Sequence, residues 1–320
     1  MTSKELTEAS RAWERNHIKL EKRWQKKIKR AMDVNLNNFI DYARKNSITS
    51  AVKVIDTLMD AKPISDVLKQ LYLSVGMAQA VKIKKAVEAD SKKSLFDEFL
   101  STMADSLAQF FLTFAITDFI YKILASQKRR TLIILKQLME EANGGQPVLP
   151  SIPDDLITPE QLISEIEDLD RGHQKEIQIL KSLYVAASDR GTGAIARTEV
   201  TRALNFASFT AAGNLPIYVD KTWICCLDKR VRRAHKNIPW DHREPHGQTV
   251  PLEEAYIVSG ERLMYPADPA ASASNVIGCR CGQTFAARRD ANGRVIRKPT
   301  GTSVTVILPN NQPTLPTITI

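Results

Sequence analysis

Residues 143–159 place Gly144, Gly145, Pro147, Pro150, Pro153 and Pro159 within seventeen positions. Proline has no amide proton to give a helix or a central strand, and paired glycines add backbone freedom, so no regular element is expected to cross this stretch. The chain is therefore expected to divide there: a helical N-terminal domain over residues 1–145, a linker over 146–159, a second domain over 160–287 and a tail over 288–320. With 320 residues, each domain has enough chain for its own core.

Before the linker, residues 5–45 read as one long amphipathic helix. Trp13, Leu20, Trp24, Ile28, Ala31, Phe39 and Tyr42 recur at helical spacing with charge between them, and no proline interrupts them. The first proline, Pro63, marks a break before a second helix system starting near Ile64, and another helix is expected from about Leu95. Residues 106–125 are the most apolar run and long enough to raise a membrane span. Gln109, Asp118 and Lys122 lie within it, the last two spaced to pair on one face, which favours a buried core helix. Lys128-Arg129-Arg130 opens a further helix to Glu141.

After the linker, Thr158-Pro159-Glu160-Gln161 has the form of a helix start, with Thr158 as N-cap and Gln161 reaching back to it. The helix that follows carries Leu162, Ile166, Leu169, His173, Ile177, Leu180 and Tyr184 as one packing seam. Gly191 and Gly193 break it, and another helix runs from Ala194 to about Ala212, closed by Gly213. Beyond Pro216 the period changes. Ile217, Val219, Trp223 and Cys225 alternate as in a strand, and residues 255–258 and 261–265 read as a hairpin turned by Ser259-Gly260. Helices first and a small antiparallel sheet afterwards make the fold class α+β. The uncharged end, rich in Thr, Pro and Asn, is expected to be disordered or to extend along a neighbour.

All four cysteines and three of the five histidines fall within residues 223–281. Cys279 and Cys281 are a poor pair for a mutual disulfide but have the spacing of a metal knuckle. Zinc, the one cofactor this pattern points to, takes about four ligands in a tetrahedron. Cys279 and Cys281 supply two, His235 is the best third, and the fourth comes from Asp228, Cys225, Cys226, His242 or His246. Without a metal the thiols are small buried apolar groups.

The net charge of +9 favours an acidic partner. Lys19, Lys22, Arg23, Lys26, Lys27, Lys29 and Arg30 stand against one acid, Glu21, on the long helix, which is either a solvated face or a phosphate-contacting one. Arg288, Arg289, Arg294, Arg297 and Lys298 form a second basic stretch. The first residues lack the apolar core of a signal peptide, so export by that route is not expected. Residues 240–246 gather two imidazoles and two carboxylates, the raw material of metal-assisted phosphodiester hydrolysis. No nuclease spacing, Gly-rich phosphate loop, Gly-X-Ser-X-Gly elbow or His-Glu-X-X-His helix accompanies them, so neither catalysis nor a small-molecule substrate is expected.

Arg197-Thr198-Glu199 with Asn205, then Trp223, Asp228, Arg232, His235, Gly247, Tyr265-Pro266-Ala267-Asp268-Pro269 and Cys279-Arg280-Cys281, in that order, resemble the Mu F-like minor head proteins of tailed bacteriophages, also called phage head morphogenesis proteins. The resemblance covers roughly residues 190–285. Where that family often carries a Cys-X-X-Cys, this chain has Arg232 and His235, as another branch of the family does. Val276 and Gly278 stand where the family's ending has His and Asn, which removes two ligands. With Arg232 in a ligand's place, its guanidinium is expected to brace Asp228 or Glu199.

The resemblance implies a virion component present in few copies, at the portal vertex or inside the capsid, and in the host cytoplasm during assembly. Its expected partners are the portal protein, the major capsid protein and packaged DNA, with self-association through the 162–184 seam left open. Its role would be in head assembly, DNA packaging or ejection. Two rivals come from other classes: a metal-dependent nuclease using His235, His242 and His246, and an ejected protein whose 106–125 helix enters a membrane.

Overall fold

The apolar period at the start of the chain folds as one helix, α1 (Ser3–Asn46), whose covered side carries Trp13, Trp24, Ile28, Met32, Leu36 and Phe39. The computed structural model describes residues 2–87, 93–112, 119–144, 158–169, 175–189, 191–226, 228, 230–234 and 239–299. After α1 come α2 (Ile48–Lys53), α3 (Ile55–Leu58), α4 (Lys62–Val87), α5 (Lys93–Phe110), α6 (Ile120–Ala142), α7 (Pro159–Leu169), α8 (Glu176–Ala187) and α9 (Thr192–Gly213). Strands β1 (Val219–Ile224), β2 (Thr249–Pro251), β3 (Tyr256–Val258) and β4 (Glu261–Leu263) follow, then the single-turn α10 (Ala273–Val276) and β5 (Gly282–Ala287). The fold is α+β. Its sheets are antiparallel, β2-β1-β5 and the hairpin β3-β4.

Contacts divide the chain into two units, neither of them a continuous segment. One comprises residues 1–25, 68–114 and 194–320, the other residues 26–67 and 115–193. The sequential division expected at the Pro/Gly-rich stretch is thus not the one observed: α7 and α8, from beyond it, pack on α6, from before it. Prolines stop regular structure, but they do not decide which helices bury their apolar faces together.

In the 26–67/115–193 unit, Ile28, Phe39, Ile48, Met59, Leu132, Leu135, Leu162 and Leu183 form the buried core. The amide of Asn35 donates to Asp60 O (2.9 Å), and its Oδ1 accepts from Asp60 N (3.2 Å). Gln127 donates to Met32 O (2.7 Å), so buried polar groups tie this unit's helices together. The helix start at Thr158 forms as a capping box: Gln161 N donates to Thr158 Oγ1 (3.3 Å) and Thr158 N to Gln161 Oε1 (2.9 Å).

Two other expectations for this unit change. Helix α6 begins at Ile120, so Lys128-Arg129-Arg130 is interior to it and does not open it. The single seam over 162–184 is two helices. Leu162 and Ile166 of α7 are buried, but on α8 the covered residues are Ile179, Leu180 and Leu183, while Ile177 is 61 % exposed. The phase is not carried from one helix to the next, and His173 lies outside the described residues. So does Asp118 of the apolar run, of which Phe110, Phe111, Phe119 and Ile120 are buried. Among the described residues no helix is long and apolar enough to cross a membrane.

The other unit is built on α9, whose residues from Thr198 to the C-terminal end are buried all round. Its alanines, threonines and serines let neighbouring backbone approach from several sides at once. Phe206 stacks on Phe110 of α5 with ring centroids 3.8 Å apart, and Tyr72 of α4 packs against Phe110 and Phe111. β1 is the middle strand of its sheet, with Trp223 opposite Gln283 of β5. Gly282 faces the Trp13 indole so closely that a Cβ would meet it at 2.4 Å, and only glycine fits there. The β3-β4 turn forms at Ser259 (φ 51°) and Gly260 (φ 80°), the left-handed pair that a two-residue hairpin requires.

The basic residues after β5 are not a free tail. Tyr218 N donates to Ile296 O, Arg288 N to Tyr218 O and Lys298 N to Pro216 O, so residues 288–299 turn back and pair beside β1. Residues 300–320 lie outside the described residues.

Candidate metal centre

Helix α9 holds the Gly278–Cys281 segment by one of its faces. Thr198 Oγ1 accepts from Gly278 N (2.9 Å), Thr201 Oγ1 donates to Cys279 O (2.6 Å), and Asn205 Nδ2 donates to Cys281 O (3.0 Å). Positions 198, 201 and 205 are one turn apart, so three successive helical turns take three consecutive contacts along an otherwise irregular segment. Arg280 O accepts from Trp13 Nε1 (2.8 Å) and from the Cys226 thiol (3.2 Å). Every carbonyl from Cys279 to Cys281 is thus engaged, and the side chains of Cys279 and Cys281 have fixed directions.

Those directions converge on His242. Its Nδ1 stands 3.5 Å from Cys279 Sγ and 3.6 Å from Cys281 Sγ, and all three side chains are buried. One imidazole nitrogen carries either one proton or one lone pair, so by hydrogen bonding it serves one of the two sulfurs well and not both equally. A cation between the three atoms serves both. This buried group can hold a metal ion. His242 Nε2 lies 3.1 Å from Oδ1 of the buried Asn275 and 3.3 Å from Arg232 Nη1; in the tautomer with the proton on Nε2, donated to Asn275, the Nδ1 lone pair faces the sulfurs and is available to a metal.

The electrostatics set Cys279 apart. The hydrogen bond from the Cys281 thiol, together with the His242 imidazole, holds the Cys279 thiol well below its ordinary range against the effect of burial. Cys281 N also donates to Cys279 Sγ (3.4 Å). Burial opposes protonation of His242, but the Cys279 thiolate outweighs it and the imidazole is raised. Burial pushes Cys225 up to about 11 and Cys226 up to about 12, which leaves them as thiols.

No family model, curated protein or solved structure matches this chain. The reading of the site therefore rests on its geometry.

Of the ligands expected from sequence, Cys279 and Cys281 are in the group. His235, expected as the third, lies outside the described residues, and His242, one of several fourth-ligand candidates, fills that place. Asp228 is not a ligand in this arrangement. Its Oδ1 accepts from Arg280 Nη2 (2.5 Å) and its Oδ2 from Arg230 Nε (3.1 Å), and the Arg280 contact first among these holds the carboxyl well below its usual range. His246 Nδ1 accepts from Cys225 N (3.3 Å), away from the three ligand atoms. Cys225 and Cys226 are buried nearby but outside the group.

The remaining motif residues have structural partners, some of them unexpected. Arg232 donates to the carbonyls of Ser274 and Ile277 (2.7 Å to the latter) and braces neither Asp228 nor Glu199. Glu199 is instead paired with the buried Arg202 at 2.8 Å, a partner the sequence reading did not single out. Arg197 pairs with Glu21 at 3.0 Å. Trp223 is fully buried, edge-on to His242 and Tyr256. Lys221 shares its strand face and was also missed. Its Nζ donates to Met264 O (2.7 Å) and sits over the rings of Phe209 and Tyr256, while burial pulls its pKa down to about 7.

On α1, Lys19, Lys22, Arg23, Lys26 and Arg30 are exposed at steps of three and four. Lys27 and Lys29 are half-buried, the latter tied to Asp33 at 2.7 Å. Arg11 and Arg15 are exposed too and extend the stripe over twenty residues, about 28 Å of helix from Arg11 to Arg30. In the second basic stretch Arg288 pairs with Asp220 and Glu253, and Arg289 donates to Gly293 O.

His17, on the opposite side of α1, has Nε2 2.7 Å from Thr201 Oγ1. Burial first, then the charge of Arg280, hold its pKa at about 3. Glu21 lies 3.7 Å away, but the ring is neutral and the carboxylate belongs to Arg197. The unfolded chain takes up this proton below about pH 6.5, and the folded chain does not until about pH 3, so the stability present above 6.5 is lost as pH falls through that window. Comparing urea midpoints at pH 7 and pH 4.5, His17→Gln is expected to lose less stability than the parent, by on the order of 2 kcal/mol. Parallel losses in the two proteins would rule this out.

Proposed function

We propose that this chain is a structural minor head protein of the Mu F-like kind, with its C-terminal module stapled by one zinc ion on His242, Cys279 and Cys281. The observation that carries the reading is where the residues of the resemblance go. Asn205, Asp228, Arg232, Cys279, Arg280 and Cys281 direct their polar atoms at one another's segments or at the shared backbone. Such a set supports a fixed shape for binding other proteins better than it supports a reacting centre.

Zinc suits the site. With Zn–S of about 2.3 Å and Zn–N of about 2.1 Å at the tetrahedral angle, a sulfur and a nitrogen on one ion stand about 3.6 Å apart, which is the separation seen for both thiols. Thiolate and imidazole ligands select zinc over magnesium or calcium, and a closely spaced knuckle is a usual source of two ligands. The ion would link the 242 loop to the 279–281 segment that α9 holds.

The basic stripe on α1 supports contact with packaged DNA, since phosphate binding asks only for clustered cations on one face. Two experiments test the assembly and the DNA parts separately. Produced together with the portal and major capsid proteins of its own genome, the chain is expected to co-sediment with assembled heads, and a chain that stays at the top of the gradient would sink the assembly reading. Independently, replacing Arg15, Lys19, Lys22 and Arg23 by Gln is expected to lower duplex affinity at least tenfold and to flatten the dependence on log salt by about 3. An unchanged slope would remove DNA from the proposal.

A further inference from the structure

The three ligand residues, His242, Cys279 and Cys281, line a cavity of about 170 Å³ together with Cys226, Arg230, Arg232 and Arg280. Its electrostatics are one-sided. Three guanidinium groups border it, and the one carboxylate bonded to them is Asp228, shared between Arg230 and Arg280. The bonds recorded for Arg232 go to neutral carbonyls, Ser274 and Ile277, and to the imidazole of His242. By ion pairing alone, two of the three guanidinium charges stand without a bonded carboxylate of their own; Glu21 acts on Arg280 only through its charge at longer range. Two thiolates on a divalent cation sum to zero, so the metal would not cancel those two charges.

Arg280 adds a second observation. It is only 5 % exposed, and its Nη1 has no hydrogen-bond partner among the described residues. An unpaired donor on a buried guanidinium is costly unless an acceptor answers it, and an anionic acceptor answers it most strongly. Among the described residues no fourth side chain joins His242, Cys279 and Cys281, whereas zinc takes four ligands.

We infer that this cavity binds a small oxyanion of the phosphoryl class, which lies against Arg230, Arg232 and Arg280 and completes the coordination of the metal. Size decides the class. A cavity of about 150 Å³ holds a molecule such as benzene, so a phosphate group fits here, with anything attached to it left outside. Guanidinium groups favour phosphate because their paired N–H groups match two of its oxygens. The inference rests on the zinc reading, and the test separates the two.

The full chain, loaded with cobalt(II) in place of zinc, reports its ligand set through its visible absorption. Adding inorganic phosphate is expected to shift the cobalt bands saturably. In Arg230→Gln the bands before phosphate should be unchanged and the phosphate affinity about tenfold weaker. A shift with a 5′-phosphorylated oligonucleotide as well would identify a terminal phosphoryl group as a ligand, and a shift with inorganic phosphate alone would identify the free ion; either supports the inference. Cobalt that binds but ignores phosphate would overturn it while leaving the metal reading in place, and bands that instead change in His235→Ala would show that the chain supplies its own fourth ligand. Cobalt that does not bind at all would overturn both.

Discussion

Replacing Cys279 by Ser is expected to take bound zinc from one per chain to none and to lower stability by on the order of 3–5 kcal/mol, or roughly 10 °C in Tm. Structural zinc contributes about 10–16 kcal/mol in peptides that have no fold without it. The loss here should be smaller, because Thr201 and Asn205 also hold the segment, by its backbone, at 2.6 and 3.0 Å. Cys225→Ser is the control: its thiol is buried in the same cluster of Trp223, Tyr256, Cys279 and Cys281 but lies outside the ligand group. It should keep the metal and lose only packing. Elemental analysis and thermal unfolding with and without chelator would check both variants. A parent protein that holds no zinc as purified, and whose unfolding a chelator leaves unmoved, would end the staple reading.

What the sequence could disclose about this fold was whatever is decided locally. The period of α1, the Thr158 box, the Ser259-Gly260 hairpin and the end of α9 at Gly213 each depend on residues a few positions apart, and each is found. The metal group depends on contacts made far along the chain. Antiparallel pairing of β1 with β5 brings Gly282 opposite Ile224, and His242 N donates to Arg232 O (3.1 Å), which draws the 240–246 loop in beside Trp223. Sequence spacing favoured His235 because it ends the run from Asp228 through Arg232 at the other end of the region from the Cys279–Cys281 knuckle. Nothing near His242 marked it except a cluster whose other members are occupied, as Asp241 is by the backbone of Arg243 and Ala234. Lys221 was passed over for a related reason. The alternation through Val219 and Trp223 does put it on the buried face, but a lysine there is tolerable only because Met264 O and two aromatic rings receive its ammonium group, and they come from other elements.

The second large effect is expected at Arg202, whose guanidinium lies beneath the Tyr265–Asp268 turn. Nη1 contacts both oxygens of Glu199 (2.8 and 3.0 Å), and Nε donates to Ala267 O (3.2 Å). Tyr72 OH donates to Oε2 of the same carboxylate (2.8 Å). Burial first, then the Glu199 charge, raises the Tyr72 pKa well above the ordinary phenol range, so the hydroxyl keeps its proton and remains a donor. Arg202→Met leaves Glu199 a buried charge with one neutral partner and is expected to cost about 3–5 kcal/mol. Tyr72→Phe removes a single bond to an ion and should cost about 1.5–3 kcal/mol. The double variant Glu199→Leu/Arg202→Met removes both charges together and should recover most of the loss, because the main penalty is the stranded ion and not the missing attraction. Urea unfolding of these three proteins and of the single Glu199→Leu variant would show the order. If the double variant proved as unstable as the sum of its parts, the triad would be holding the Ala267 turn by specific contacts that no apolar pair replaces, and Arg202 would join Arg280 as a residue whose guanidinium is needed for shape.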